Sequence, residues 1–322
     1  MAKNTSMRSG TLQIYPRVRA KKFLPRIKWK LLDKKTPGLL GFIGYKVGMK
    51  SAFVKDNTPH SLTKGQKIAI PATIIECPPM KILSVRFYEK NNLIKELLNV
   101  NLDKQLKRKI KISKKTDEKI LDKLDKIIKE IKFSDIRIIV YSQVKKTGIK
   151  KTPDITEIGL SGNLKEKLEF LKENISKELS LKSFFNESII DVRGVTKGKG
   201  FQGPTKRFGL SLRSHKSEKG VRGPGSGGPW HPARVDFTIP MAGQMGFSTR
   251  VNYNNKIILL ESIKNKDINS QNGFRHFGKI KTEYLIINSS VSGPSKRPFV
   301  LTVTLRKTKK QTKKNYEFIE LR

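Results

Sequence analysis

Two histidines, His215 and His231, share one stretch of the chain with Trp230 and with the run Gly198-Lys-Gly-Phe-Gln-Gly203. Imidazoles titrate near neutrality and serve as general acids and bases, while G-x-G-x-x-G is the pattern of a pyrophosphate-binding loop. Each chemistry needs company. A catalytic histidine wants a carboxylate or nucleophile, and residues 193–235 contain one acid, Glu218. A dinucleotide loop opens a helix and is followed about 20 positions on by an acid for the ribose. Here Pro204 follows Gly203 at once, no helical periodicity follows, and the expected acidic region reads Gly220-Val-Arg-Gly-Pro-Gly-Ser-Gly-Gly-Pro. The expected cofactor is therefore none, and the histidines read as hydrogen-bonding and stacking groups. An enzyme acting on RNA through His215 or His231 is the runner-up. It would need a metal set or cofactor pocket, yet the one cysteine, Cys77, and four scattered histidines show no zinc spacing.

The chemistry the chain is rich in is cationic. Its 322 residues hold 68 Lys and Arg against 27 Asp and Glu, a formal net charge of +41 that calls for a polyanionic partner. The surplus concentrates in residues 1–36, 193–235 and 296–322, all poor in apolar periodicity. In the first, Arg17, Arg19, Lys21, Lys22, Arg26 and Lys28 interleave with Tyr15, Phe23 and Trp29, while Pro16 and Pro25 discourage a helix. Cations for phosphates beside aromatic faces for unpaired bases suit RNA. In the second, ten glycines let a backbone approach a sugar-phosphate chain closely while Lys197, Lys199, Lys206 and Arg207 supply charge. Trp230, set in Gly-Gly-Pro-Trp-His-Pro with no apolar partner N-terminal to it back to Val221, reads as an exposed ring for insertion into RNA. Lys264 to Asp267 and Lys307 to Lys314 read as solvated faces. A general nucleic-acid compactor, binding any duplex equally, is a third reading.

The elements that must carry these segments are mainly β. Residues 38–100 read as several short strands, including 68–76 and 82–88 on either side of Cys77-Pro-Pro. Ile120, Leu121, Leu124, Ile127, Ile128 and Ile131 recur at helical spacing, with Thr116, Asp117 and Glu118 as capping and first-turn residues, so 116–133 reads as an amphipathic helix. Asp135 to Ser142 reads as a buried strand and Leu164, Leu168, Leu171 and Ile175 as a second amphipathic helix. Strand character returns at 188–192, 236–262 and 280–306. The expected layout is a basic N-terminal extension at 1–36, β-rich parts at 37–102 and 184–322, and an inserted α/β region at 103–183. A basic, glycine-rich finger at about 193–250 interrupts the second part, which ends in a basic tail. With no apolar run of the ~20 residues that cross a bilayer and no apolar N-terminal signal segment, neither a membrane span nor secretion is expected.

The motifs resemble a known family. Asp191-Val-Arg-Gly-Val-Thr-Lys-Gly-Lys-Gly-Phe-Gln-Gly203, Lys206-Arg-Phe-Gly209, Trp230-His-Pro-Ala-Arg-Val235 and Ala242-Gly-Gln-Met-Gly246 are similar to those of the large-subunit ribosomal protein L-three family in its archaeal and eukaryotic form. Tyr15 to Ala20, Leu40 to Met49, Glu76 to Met80 and Val291 to Arg297 extend the resemblance over nearly the whole chain, while 103–183 matches mainly in pattern. What the resemblance implies is a six-stranded barrel of the translation-protein type, with an α/β insertion and long basic non-globular extensions. It implies a non-enzymatic, ribosome-bound cytoplasmic protein whose partners are large-subunit rRNA and neighbouring ribosomal proteins, with an early role in subunit assembly. It further implies a finger that approaches the peptidyl transferase centre with Trp230 near its tip and His215 and Arg222 along it. RNA contacts are expected at the six arm cations named above. They are expected also at Arg193, Lys197, Lys199, Lys206, Arg207, Arg213, His215, Arg222, Trp230, His231, Arg234, Gln244, Arg250, Lys296 and Arg297.

Overall fold

The computed structural model describes residues 17–32, 36–100, 102–112, 120–184, 188–217, 220–231, 233–236 and 239–322. Tyr15, Pro16 and the capping residues Thr116, Asp117 and Glu118 lie outside them. The elements in chain order are β1 (Gly38–Leu39), β2 (Gly41–Asp56), β3 (Lys67–Cys77), β4 (Met80–Glu89), β5 (Asn92–Leu98), α1 (Ile120–Glu130), β6 (Asp135–Ser142), β7 (Ile155–Ser161), α2 (Leu164–Asn174) and α3 (Leu181–Phe184). There follow β8 (Ile189–Val195), β9 (Gly198–Gln202), α4 (Pro204–Phe208), β10 (Gly243–Gly246), β11 (Thr249–Ser262), β12 (Glu283–Asn288), β13 (Pro298–Val303), α5 (Lys309–Lys313) and β14 (Tyr316–Leu321). The fold is mainly β.

Two compact units divide the chain. The larger runs through Phe23–Gly194 and Val251–Arg322. Its seven-stranded sheet has the order β13-β8-β11-β12-β3-β2-β14, and β13 also pairs with β2, which closes six of the strands into a ring. A second sheet has the order β1-β7-β6-β4-β5. Strand β4, from the segment expected to form the first β-rich part, thus pairs with β6 from the expected insertion, with β5 and β7 on their outer sides. The sequence of β12 shows why these strands read as unbroken apolar runs. Leu285 and Ile287 enter one buried cluster with Phe42, Met80 and Ile138, whereas Tyr284 and Ile286 enter another with Val54 and Ala72. A strand with core on both faces has no polar face to alternate with.

Helix α1 buries Ile120, Leu124 and Ile127, as its spacing predicts, but leaves Leu121 exposed. At the start of α2 the Asn163 amide donates to Glu166 Oε2 at 2.9 Å, a capping contact that satisfies an end group of the helix.

Three expectations are corrected. Trp29, read as a stacking ring for RNA, is 4 % exposed and belongs to the large core cluster. Around it Pro25, Ile27 and Trp29 point inward while Arg26, Lys28 and Lys30 stay exposed, so an extended segment buries its apolar face and leaves its cations outside. The basic tail is not free either, because β14 pairs antiparallel with β2 from Tyr316–Asp56 to Leu321–Ala52. Residues 193–235, expected to lack regular structure, contain β9 and the five-residue helix α4, which starts at Pro204 with Gly203 before it. Proline at the first helical position gives up no bond, since that N–H has no partner within the helix.

Candidate nucleic-acid interface

The smaller unit combines residues 17–22 with Val195–Arg250. Those residues carry fourteen basic side chains against two acidic ones. Its frame is the β9–β10 ladder, in which Gly243 faces Gln202, Gln244 faces Phe201, Met245 faces Gly200 and, after a register shift, Gly246 faces Gly198. The glycines permit this close pairing. Gly246 has φ +70°, and a Cβ there would lie 2.1 Å from the carbonyl oxygen of Lys197.

Arg207, on α4, braces the ladder. Its Nε donates to Gln244 O at 3.1 Å and its Nη1 to Met241 O at 2.8 Å. The described end of the N-terminal arm is held on the same unit by protein contacts. Ala20 N donates to Phe247 O at 2.7 Å, Ser248 Oγ to Val18 O at 3.3 Å and Arg17 Nη1 to Arg207 O at 3.1 Å. Arg17 lies over the Phe208 ring at 4.2 Å and Arg19 over Phe247 at 5.4 Å. Such cation–π pairs fix the guanidinium planes without neutralising them.

The loop beyond α4 folds back on itself: Arg213 N donates to Val221 O at 3.1 Å and Thr205 Oγ1 to Arg222 O at 3.1 Å. From it Arg213, His215, Arg222, His231 and Arg234 project into solvent, as do Lys197, Lys199 and Lys206 from the base and Arg19, Lys21 and Lys22 from the arm. Trp230 is 87 % exposed. Arg17, Arg207, Gln244 and Arg250 are half-buried. Sixteen of the twenty-one sequence-derived site residues therefore share this unit.

The other five belong to the larger unit. Arg26 and Lys28 are exposed, as is Lys296, which has φ +65°. Arg193 donates from Nε to Thr302 Oγ1 at 3.1 Å. Arg297 stacks at 4.9 Å over Phe23, and burial lowers its pKa from the ordinary guanidinium value. Near Arg193 the buried carboxylate of Asp191 accepts from Asn254 N at 2.8 Å and Leu305 N at 3.2 Å. Burial raises its pKa above the usual range, against the pull of those two amides and of Arg193. Asp191 thus acts as a structural tie between three segments.

The G-x-G-x-x-G run is followed by a helix after all, but the run itself forms β9, which pairs antiparallel with β10, and the helix is a single short turn. A pyrophosphate fingerprint needs a parallel strand-helix-strand crossover. Among the described residues, no group of three or more His, Cys, Asp or Glu side chains is placed to hold a metal ion. Sequence reasoning missed Phe208 and Phe247 as platforms for Arg17 and Arg19, and Phe201, which is 77 % exposed. The available signal for Phe201 was a large aromatic residue set among glycines and lysines with no adjacent apolar residue.

The family model described as Ribosomal protein L3 matches residues 1–322. The chain belongs to this family. Members of the L3 family are structural ribosomal proteins, not enzymes, so the catalytic reading of His215 and His231 falls. The chain is similar to large ribosomal subunit protein uL3 of Methanocaldococcus jannaschii, 40 % identical over 310 residues that cover 93 % of this chain and 91 % of that one. The protein of the same name from Methanococcus vannielii is 40 % identical over 313 residues, 94 % of this chain and 92 % of the relative. That of Archaeoglobus fulgidus is 40 % identical over 301 residues, 90 % and 89 % of the two chains. Membership of the L3 family implies a ribonucleoprotein of translation and rRNA binding.

Proposed function

We propose that this chain is a structural constituent of the large ribosomal subunit that binds large-subunit rRNA mainly through the unit formed by residues 17–22 and Val195–Arg250. The observation that carries this reading is the segregation of charge. The unit carries fourteen basic side chains against two acidic ones, most of the described cations extend into solvent, and the Trp230 indole is 87 % exposed. Each cation that meets a phosphate releases condensed counterions, so association is driven by entropy and weakens steeply with salt.

In this reading the six-strand ring is the translation-protein-type barrel and a carrier for the finger. Trp230 stacks on rRNA near the peptidyl transferase centre, and Arg213, His215, Arg222, His231 and Arg234 follow the backbone toward it. The contribution to peptide-bond formation is indirect: the protein holds rRNA segments in place. Binding during early assembly fits a chain whose cations are neutralised only once rRNA has folded round them. The protein acts in the cytoplasm, bound to the ribosome, next to other large-subunit proteins.

Affinity for large-subunit rRNA measured across a salt series tests this. The logarithm of the binding constant should fall with the logarithm of salt by roughly 0.7–0.9 per neutralised phosphate, and excess bulk DNA should not displace the protein. Displacement by bulk DNA would instead mark a general nucleic-acid compactor.

A further inference from the structure

We propose that Phe201 is a stacking platform for one unpaired nucleobase of the bound RNA, with the ammonium of Lys199 taking a phosphate beside it. The inference rests on the RNA-binding reading above and names a contact at the base of the finger. Phe201 sits inside β9 and pairs with Gln244 of β10, between the pairs Gln202–Gly243 and Gly200–Met245, so its backbone is fixed. Its ring is nevertheless 77 % exposed and belongs to none of the apolar clusters. A large aromatic side chain held in solvent on a rigid strand contributes nothing to the core.

The surroundings of the ring select the ligand. Lys199, two residues before Phe201 and exposed, is left unpaired where the register shifts between the Gly200–Met245 and Gly198–Gly246 pairs, with Gly200 at φ +66°; its ammonium is free of the ladder and available to a phosphate. Gln244, directly opposite Phe201, turns its amide back along its own strand to Met245 O at 3.2 Å and Gly246 O at 3.1 Å, rather than over the ring. A Cβ at Gly200 or Gly203 would meet nothing within 4 Å, so the chain on both sides of Phe201 is open to a flat ligand. A protein partner would be expected to meet an apolar patch, whereas the chain neighbours of this ring are Lys197, Gly198, Lys199, Gly200, Gln202 and Gly203, and its cross-strand partner is Gln244. A bare π face with cations at its edge suits a base and its phosphate, and it suits all four bases alike.

Full-length protein and large-subunit rRNA supply the test. Phe201→Ala should weaken binding roughly tenfold with an unchanged salt slope, since no charge is removed. Phe201→Trp should keep the affinity and add an emission, above that of Trp29 and Trp230, that RNA quenches. Lys199→Ala should reduce the slope by roughly 0.7–0.9; an unchanged slope would remove the phosphate contact. If Phe201→Ala binds like wild type while the salt slope persists, the stacking platform is overturned and the RNA reading survives. If the wild-type protein shows no salt-dependent binding, the RNA reading itself fails. A photocrosslinking phenylalanine at position 201 should join to rRNA in assembled subunits, and crosslinks to protein would overturn the assignment.

Discussion

The phenol of Tyr45, on β2, donates a hydrogen bond of 2.6 Å to Asp154 Oδ2, and its oxygen lies 2.7 Å from Ser142 Oγ on β6. Lys150 pairs with the same carboxylate and lies over the Tyr45 ring at 5.6 Å. This polar knot ties the ring of strands to the second sheet. Burial, then the charge of Asp154, pushes the Tyr45 hydroxyl well above its ordinary pKa. Folding therefore favours the neutral phenol, and that stability is complete below about pH 10 and is lost as pH rises toward the folded-state value. Tyr45→Phe should cost roughly 1.5–3 kcal/mol at neutral pH and flatten the alkaline fall of Tm by one ionisation. Tyr284, pushed up to about 12 by burial, titrates in both proteins, so the difference isolates Tyr45.

Trp29 fills a site that two glycines leave open. A Cβ at Gly41 would lie 2.7 Å from Trp29 Cη2, and one at Gly159 would lie 2.8 Å from Trp29 Cβ. Trp29→Ala should lose about 3–5 kcal/mol in urea denaturation while the salt slope for rRNA stays as in wild type. A slope that fell with little loss of stability would return Trp29 to the RNA-contact role its neighbours suggested.

These two residues show where the sequence is legible. Helix α1 and strand β6 lie within the segments their periodicity marks, because six apolar positions at helical spacing, or eight residues with a buried β-branched centre, leave little competition. Trp29 is hidden because its alternation spans only Pro25 to Lys30 and sits among lysines and arginines that suggest a tail. The pairing of β4 with β6 is non-local, and nothing in the local pattern of 80–98 encodes it. In β9 and α4 the glycines and Pro204 erase the apolar period altogether. Charge alone indicated the cationic unit, but it could not say that Arg207 is a brace.

Gly246 sets the register of the hairpin that carries Phe201. Alanine there would place its Cβ 2.1 Å from Lys197 O, at φ +70°, so the backbone must shift. Gly246→Ala should abolish amide-exchange protection in β9 and β10 and weaken rRNA binding, while the main unfolding transition, set by the larger unit, stays within about 0.5 kcal/mol of wild type. A loss of global stability of several kcal/mol would contradict this.

Asp56, at the end of β2, organises the turn into β3. It accepts from Thr58 N at 2.9 Å, Ser61 Oγ at 2.8 Å and Thr63 Oγ1 at 2.6 Å. Burial works to raise its pKa, but the three donors outweigh it and hold the carboxyl far below the usual carboxylate range. Its contribution is thus present above the unfolded value of about 3.9 and is lost as pH falls through the folded one. Asp56→Asn should lower Tm at pH 7 and make the acid limb less steep. Exchange at the Gly65 amide, which donates to Asp56 O at 2.7 Å, should speed up in the variant.

Lys206 and Arg207 are neighbours on α4 with opposite duties. Lys206 is exposed, whereas Arg207 is half-buried with its guanidinium donating to two carbonyls of the chain across the hairpin. A cation that meets phosphate contributes to the salt slope, and one engaged with carbonyls contributes to the shape of the site. Lys206→Ala should lower the slope by roughly 0.7–0.9 and leave amide exchange in β10 unchanged. Arg207→Ala should speed exchange at β10, because Gln244 O and Met241 O lose their donor, and should reduce affinity even at high salt. Arg207→Lys restores the charge but not the two-pronged geometry, so it should behave like the alanine variant in exchange and like wild type in slope. Equal slopes for Lys206→Ala and wild type, with a reduced slope for Arg207→Ala, would reverse the two assignments.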